Sequence, residues 1–318
     1  MEIIPGTSSH YERLVTFANT LEPERNLSVA NLEAADKHRD SKSKFQRWIA
    51  VNQDEVVGLG NYSQSIWFAH PQKFIVWIEV LPGYREQGIG SALYDSVMNG
   101  LHPFDPIALR TTVKEDQPHG IRFLEKRGFR EVIRDIPSEL DVQSFDLTRF
   151  EGLEDRFQDS GIVIKNAIEL ENDPDRDQKL YELDWELSMS VPGDLAAGMG
   201  RRGLDKYVEY ALTGSSAILE GFSVTVKGDE YIGLSHILVS KKGIALYQGL
   251  TGVKPEYRHL GIGLAMKVRG IKYAKAHGYA TLLSENDAKN IPMLKMNERL
   301  GFVRKPDSIT FEKQCQSM

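Results

Sequence analysis

Two copies of one short corner constrain this chain more than any other feature. The first is Arg85-Glu86-Gln87-Gly88-Ile89-Gly90 and the second is Arg258-His259-Leu260-Gly261-Ile262-Gly263. Each reads R-x-x-G-x-G. Each follows an apolar run and a Pro-x-Tyr turn, Pro82-Gly83-Tyr84 or Pro255-Glu256-Tyr257, and each opens a stretch with helical spacing. Glycine admits backbone angles that a side chain forbids, and it lets a ligand approach the main chain. Successive N–H groups at a helix start form a cradle for an anion, reinforced by the helix dipole. An arginine beside such a cradle can add charge-assisted contacts to phosphate oxygens. The corner therefore suggests a diphosphate site where a strand meets a helix.

A single Gly-x-Gly is a weak signal, because a tight turn uses glycine for packing alone. Duplication strengthens it. Arg85 and Arg258 stand 173 positions apart (258 − 85), and Gly128-Phe129 and Gly301-Phe302 repeat the same offset. Upstream, Asp54-Glu55-x-x-Gly58 matches Asp229-Glu230-x-x-Gly233. The repeat thus spans a whole domain. Other glycine motifs fit poorly. A dinucleotide turn needs a third glycine where this chain has Leu93 or Met266, and a P-loop needs Gly-Lys-Ser/Thr.

With a strand before each corner, an amphipathic helix after it, a further strand and a second helix ending in Gly-Phe, the sequence resembles the GCN5-related N-acetyltransferase (GNAT) superfamily. Its double copy resembles the tandem-GNAT group that includes mycothiol synthase. The resemblance implies an α/β (α+β) fold of two tandem GNAT domains, each a mixed, mostly antiparallel twisted sheet flanked by helices. The charged, glycine-bearing stretch from Thr148 to Gly161 places the boundary at 155/156, giving domains 1–155 and 156–318.

The periodicity fills in the elements. Ala92, Leu93, Val97 and Met98 mark the inner face of a helix ending at Gly100. Residues 131–147 alternate well enough for two strands. Leu264, Val268 and Ile271 share one face of the helix after the second corner. Asn290 is placed to cap the last helix.

Composition bounds the function. A net charge of −6 argues against nucleic acid as the main partner. The single cysteine, Cys315, excludes an internal disulfide. The N-terminus has no basic-then-apolar signal pattern, and no apolar run reaches the roughly 18 residues of a spanning helix. A cytoplasmic protein with no membrane partner is expected, as a monomer or homodimer. No histidine–carboxylate grouping has metal-ligand spacing, so no metal is expected.

The resemblance assigns the site. Coenzyme contacts fall on Val80, Arg85, Gln87, Gly88, Ile89, Gly90 and Ser91 in the first half. In the second half they fall on Val253, Arg258, Leu260, Gly261, Ile262, Gly263, Leu264, Asn286, Asn290 and Met293. The strand before each corner, Ile78 to Val80 or Leu250 to Val253, is expected to offer a main-chain N–H to a thioester oxygen. The first half has Val113, Gln117 and Gly120 where the second has Asn286, Asn290 and Met293. Many members carry a tyrosine acid four residues before the Gly-Phe glycine; here those positions hold Leu124 and Asn297. Leucine cannot donate. Asparagine orients a sulfur or merely contacts backbone, and both readings stay open.

The catalytic candidates are Asn297, Glu79 and Tyr247. The general base is unresolved between Glu79 in the first half and His236, Tyr247, Glu285, Asp287, Asp184 and Asp194 in the second. Arg201 and Arg202 suit an acidic acceptor or a solvated loop. The expected function is transfer of an acetyl group from acetyl-CoA, as cosubstrate, to the amine of a small molecule, with catalysis in the second half. The alternatives are a non-catalytic acyl-CoA sensor and a protein or peptide N-acetyltransferase.

Overall fold

The structure, a computed structural model, describes residues 1–40, 43–64, 70–192, 201, 203–240 and 245–315. The strands are β1 (Glu2–Pro5), β2 (Phe45–Asn52), β3 (Glu55–Gln64), β4 (Lys73–Val80), β5 (Ala108–Lys114), β6 (Arg130–Asp141), β7 (Ile162–Asn166), β8 (Ser223–Lys227), β9 (Glu230–Val239), β10 (Leu246–Val253), β11 (Thr281–Asp287), β12 (Val303–Arg304) and β13 (Ser308–Gln314). The helices are α1 (Tyr11–Leu21), α2 (Val29–Lys37), α3 (Ile89–Leu101), α4 (Pro118–Glu125), α5 (Asp155–Gln158), α6 (Arg176–Met189), α7 (Leu204–Val208), α8 (Ile262–Ala276) and α9 (Ile291–Leu300). Among the described residues, no helix is long and apolar enough to cross a membrane.

The chain forms two compact units. The first holds residues 1–132 and 309–318, and the second holds 133–308. The first unit's sheet runs β1-β2-β3-β4-β5-β13, and the second's runs β6-β11-β10-β9-β8-β7 with β12 on β6. Pairings are antiparallel from β1 to β4 and from β7 to β10, and again between β11 and β6. Strands β4 and β5, and β10 and β11, pair in parallel. These are mixed, mostly antiparallel sheets, as expected.

The cut at 155/156 separates the two copies of the repeat. Packing divides the chain elsewhere. Strand β6 follows the first Gly-Phe in sequence, yet Asp135 to Asp141 pair with β11. Strand β13 closes the second copy in sequence, yet it packs in the first unit. There Ile309 and Phe311 join Tyr62, Phe74, Leu109 and Phe129 in one core, and the Arg110 guanidinium meets the Glu312 carboxylate. The alternation at 131–147 produces one long strand, β6, followed by turns.

In the first unit α3 buries Ile89, Leu93, Tyr94, Val97 and Leu101. It does not stop at Gly100. A Cβ there would lie 2.3 Å from the Trp48 ring, so that glycine is a packing slot within the helix. In the second unit α8 buries Leu264 and Ile271 as expected, and it buries Lys267 with them. Gly128 and Gly301 follow α4 and α9 at φ +83° and +85°, the left-handed conformation that ends a helix.

Phe311 is fully buried within the first unit. Phe311→Ala should therefore cost that unit about 3–5 kcal/mol. Hydrogen exchange should show protection falling in Ala108–Lys114 while Leu246–Val253 stays protected. Equal loss in both strands would contradict the placement of β13.

Candidate functional site

Each corner sits at the open end of a parallel strand pair. Strand β4 pairs with β5 only at Lys73↔Ala108, Phe74↔Leu109 and Ile75↔Arg110. Strand β10 pairs with β11 only at Leu246↔Leu282 and Tyr247↔Leu283. Beyond those residues each pair diverges, and the corner follows where the divergence ends.

The two corners fold alike. Gly88 and Gly261 are left-handed at φ +84° and +87°, and nothing lies within 4 Å of a Cβ added at either. The glycine is thus required by backbone sign, with open space in front of it. Glu86 and His259 take positive φ as well. Helices α3 and α8 start with no side-chain cap. Their first intrahelical bonds run from Ala92 to Gly88 and from Ala265 to Gly261. That leaves the N–H groups of Gly88, Ile89, Gly90 and Ser91, and of Gly261, Ile262, Gly263 and Leu264, without helix partners. The Ile89, Ile262 and Leu264 side chains are buried anchors, so only their main chain faces a ligand. Leu260 is exposed.

Both arginines are partly committed. Arg85 Nε donates to the Val80 carbonyl at 3.1 Å, and Arg258 Nε donates to the Val253 carbonyl at 3.0 Å. Each ties its corner back to the strand end. Arg258 also reaches Ser190 Oγ at 3.2 Å. Gln87 donates to the Gly83 carbonyl, and Ser91 accepts from Arg127 at 2.7 Å.

The strands feeding the corners differ. Register between β3 and β4 is unbroken from Gly58↔Val80 to Gln64↔Phe74. Between β9 and β10 it shifts from Gln248↔Ile237 to Thr251↔Ser235, so β10 carries one extra residue. Gly249 and Leu250 form this bulge, which takes a strand N–H out of the ladder. Gln248 Nε2 bridges it, donating to the His236 carbonyl at 2.9 Å and to Ser235 Oγ and Thr251 Oγ1 at 3.2 Å. A Cβ at residue 249 would lie 2.2 Å from His236 Nε2, so glycine is needed there.

The interiors of the two splits also differ. In the second unit Lys267, from α8, donates to Asn297 Oδ1 at 2.6 Å. Asn297 Nδ2 donates to Asn286 Oδ1 at 2.8 Å and to Ser284 Oγ at 3.2 Å. Lys267 is 1% exposed, and burial lowers its pKa from 10.5 to about 7. The repeat places Tyr94, Leu124 and Val113 at the matching positions in the first unit, and all three are buried in one apolar core. There Gly120 lets α4 approach β5, since a Cβ would meet Val113 at 2.8 Å. Met293 takes that place in the second unit, 3.8 Å from Lys267 Nζ through its sulfur.

Asn297 therefore has both ends of its amide occupied within the protein. Asn290 caps α9, its side chain accepting from Met293 N at 3.3 Å.

Tyr247 lies on the opposite face of the sheet. Register puts it on the same side as Leu283 and hence Glu285, away from Ser284 and Asn286. Its pKa is raised by burial, then by Glu285, Tyr210 and Asp135. The Asp135 carboxyl on β6 is pushed up to about 6 by burial, Glu285 and Asp287. Glu285 is raised by burial. Asp287 accepts from Lys289 N at 2.7 Å and shapes the turn. His236 is sealed between Phe222 and Tyr210, and burial holds it to about 4, a poor setting for a base.

Elsewhere, Glu79 is raised by burial and lies 3.9 Å from Arg25. Arg201 pairs with Glu182 at 2.5 Å over the Tyr181 ring. Burial raises the pKa of Tyr207, and Asp184 adds to it. Asp194 and Arg202 lie outside the described residues.

Lys267, Asp135 and the bulge are absent from the sequence expectations. A signal existed for the lysine alone: it sits on the inner stripe of α8 between Leu264 and Ile271.

Residues 13–129 match the model of the acetyltransferase (GNAT) family. A mycothiol acetyltransferase from Arthrobacter sp. (strain FB24) is 40% identical over 55 residues, 17% of each chain. The chain thus spans only about a sixth of that relative in the match. A GCN5-related N-acetyltransferase from Sphaerobacter thermophilus superposes with a TM-score of 0.69 at 14% identity, covering 98% of this chain and 95% of that one. A tandem GNAT protein from the clavulanic acid biosynthesis pathway gives 0.69 at 16% identity, covering 98% of both. At such identities the likeness is one of fold, and that fold is the tandem GNAT fold.

The depressed pKa of Lys267 has a signed consequence. Between about pH 7 and 10.5 the unfolded chain binds more protons than the folded one, so stability rises with pH across that window. Lys267→Met removes the burial penalty but leaves Asn297 Oδ1 unpaired. It should stabilise the protein by about 2 kcal/mol at pH 7. The gain should vanish or reverse by about pH 10. Urea titrations at both pH values measure it; a loss at pH 7 would contradict the burial of an ammonium without a carboxylate partner.

Proposed function

We propose that this chain, which carries a GNAT-family domain and has the tandem GNAT fold, is an N-acetyltransferase that uses its second unit. It would move the acetyl group of acetyl-CoA to the amine of a small molecule. The observation that carries this reading is the strand split of the second unit, bulged on one strand and backed by the bonded chain Lys267–Asn297–Asn286. The family match itself falls on the first unit, so family likeness does not choose between the units. The apolar interior behind the first corner favours a structural or weaker binding role there.

The second unit's parts suit the chemistry. The corner from Gly261 to Leu264 would hold the diphosphate on its main-chain N–H groups. The N–H released by the bulge is suited to the carbonyl oxygen as charge develops on it. Much of the rate would come from holding the two reactants together. A gap between strands is open to both faces of a sheet. The acceptor would then approach from the face of Tyr247, Glu285 and Asp135, where carboxylates favour a protonated amine.

Asp135, with a pKa of about 6, would be ionised at neutral pH and matched to accepting the amine proton through water. As the nitrogen bonds to the acetyl carbon, the carbon–sulfur bond breaks and the thiolate leaves with its electron pair. Coenzyme A thiolate is a fair leaving group, which accommodates the absence of a tyrosine at Asn297.

Gly261→Glu sets a side chain on left-handed backbone and a carboxylate in the phosphate cradle. It should abolish acceptor-dependent thiol release, while Gly88→Glu should leave most of it. Loss in Gly88→Glu alone would move catalysis to the first unit. Coenzyme binding with no release across an amine panel would favour the sensor.

For the base, kcat/KM should rise with pH through about 6, because the ionised carboxylate is the active form. Asp135→Asn should remove that limb and lower kcat about 10²-fold. An unchanged profile would exclude Asp135.

A further inference from the structure

The buried lysine of α8 takes no part in the chemical steps above. Its surroundings explain why a lysine can be kept there. Its Nζ lies 2.6 Å from Asn297 Oδ1 and 3.8 Å from Met293 Sδ, over the Phe302 ring at 5.2 Å. Among the described residues, no carboxylate pairs with it. A buried ammonium is costly, and this one has only an amide oxygen and a sulfur as acceptors.

In the structure Lys267 Nζ donates to Asn297 Oδ1, and in its ammonium form it can donate but never accept. That fact sets the direction of every amide behind it. Asn297 must turn Oδ1 toward Lys267, so its Nδ2 points to β11. There Asn286 must present Oδ1, which accepts from Asn297 Nδ2 at 2.8 Å and from Ser284 Oγ at 3.3 Å. With its oxygen doubly engaged, Asn286 is left with its NH2 group as the end presented to the strand split.

We propose that Lys267 is a positioning residue: through Asn297 it fixes the side-chain amide of Asn286 with the NH2 outward, as a donor for an amide carbonyl of the pantetheine arm. The inference rests on the reading that the second unit binds the coenzyme. It accounts for Lys267, Asn297 and Asn286 as one device. In the first unit the matching positions carry Tyr94, Leu124 and Val113. Neither Leu124 nor Val113 can relay a hydrogen bond, so the device is confined to the second unit.

Reversing the polarity of the middle residue tests it. In Asn297→Asp a carboxylate pairs with Lys267, and it can only accept from Asn286. Asn286 must then turn its NH2 inward and present oxygen to the split. The Asn297→Asp protein should be at least as stable as the parent, because the buried ammonium gains a counter-ion. Calorimetry with free coenzyme A should nevertheless show affinity weakened about tenfold, one donor having become an acceptor facing an acceptor.

Lys267→Met, which is expected to fold more stably at neutral pH, should also weaken coenzyme A binding, by about fivefold. In turnover, both variants should raise KM for acetyl-CoA while leaving KM for the amine unchanged.

Parent-like affinity in both variants, with Gly261→Glu still abolishing binding, would overturn the role of Lys267 and leave the coenzyme site standing. Binding that survives Gly261→Glu would overturn the second-unit reading and this role together.

Discussion

Both units depend on a parallel strand pair that is hydrogen-bonded at one end only. A sheet normally closes its ladders, because a buried strand edge leaves N–H and C=O groups without partners. Here β4–β5 and β10–β11 part after two or three residues, and the chain then turns at a left-handed glycine. Arginine Nε holds that turn to the last strand carbonyl in each copy. The result is a gap between strands with a helix start at its mouth. A carrier with an anionic head and an amide-rich arm would suit such a gap: the head would meet free N–H groups, and the arm would meet open strand edges.

The two copies keep this frame and differ inside it. In the first, Val113, Leu124 and Tyr94 pack with Phe129 and Phe311 into an apolar core, and Gly120 brings α4 against β5. In the second, the matching positions carry Asn286, Asn297 and Lys267, bonded in a chain. An apolar interior stabilises its unit through burial. A bonded polar interior contributes less stability, and its directionality specifies which way each amide faces. The bulge in β10 falls in the same unit as the polar chain. Concentration of both departures in one copy is consistent with division of labour between a structural and a working unit.

Much of the frame is legible in sequence. The positive-φ glycines at 88, 128, 261 and 301 follow from the repeat and from helix-end chemistry. The cap at Asn290 follows from its position before an apolar run. What sequence does not reveal is non-local. Nothing in the alternation of residues 131–147 says that β6 will pair with β11, or that the last strand will pack beside β5. A bulge is one extra residue against a partner strand, so it is invisible until the partner is known.

Lys267 shows the limit from the other side. Helical spacing reads it as an interruption of an apolar stripe. Its meaning appears only when α9 brings Asn297 to 2.6 Å. Likewise, Asn297 reads as a stand-in for a missing acid until its amide is found fully engaged. His236 reads as a base by its ordinary pKa until Phe222 and Tyr210 are seen to enclose it.

The central claim is that the split of the second unit, behind its glycine corner, holds the coenzyme. Amide hydrogen exchange of the whole chain, with and without acetyl-CoA, tests it most directly. The account predicts new protection at Gly261–Ala265 and Leu250–Val253, with little change at Gly88–Ala92. Protection confined to Gly88–Ala92, or absent from both corners, would contradict it.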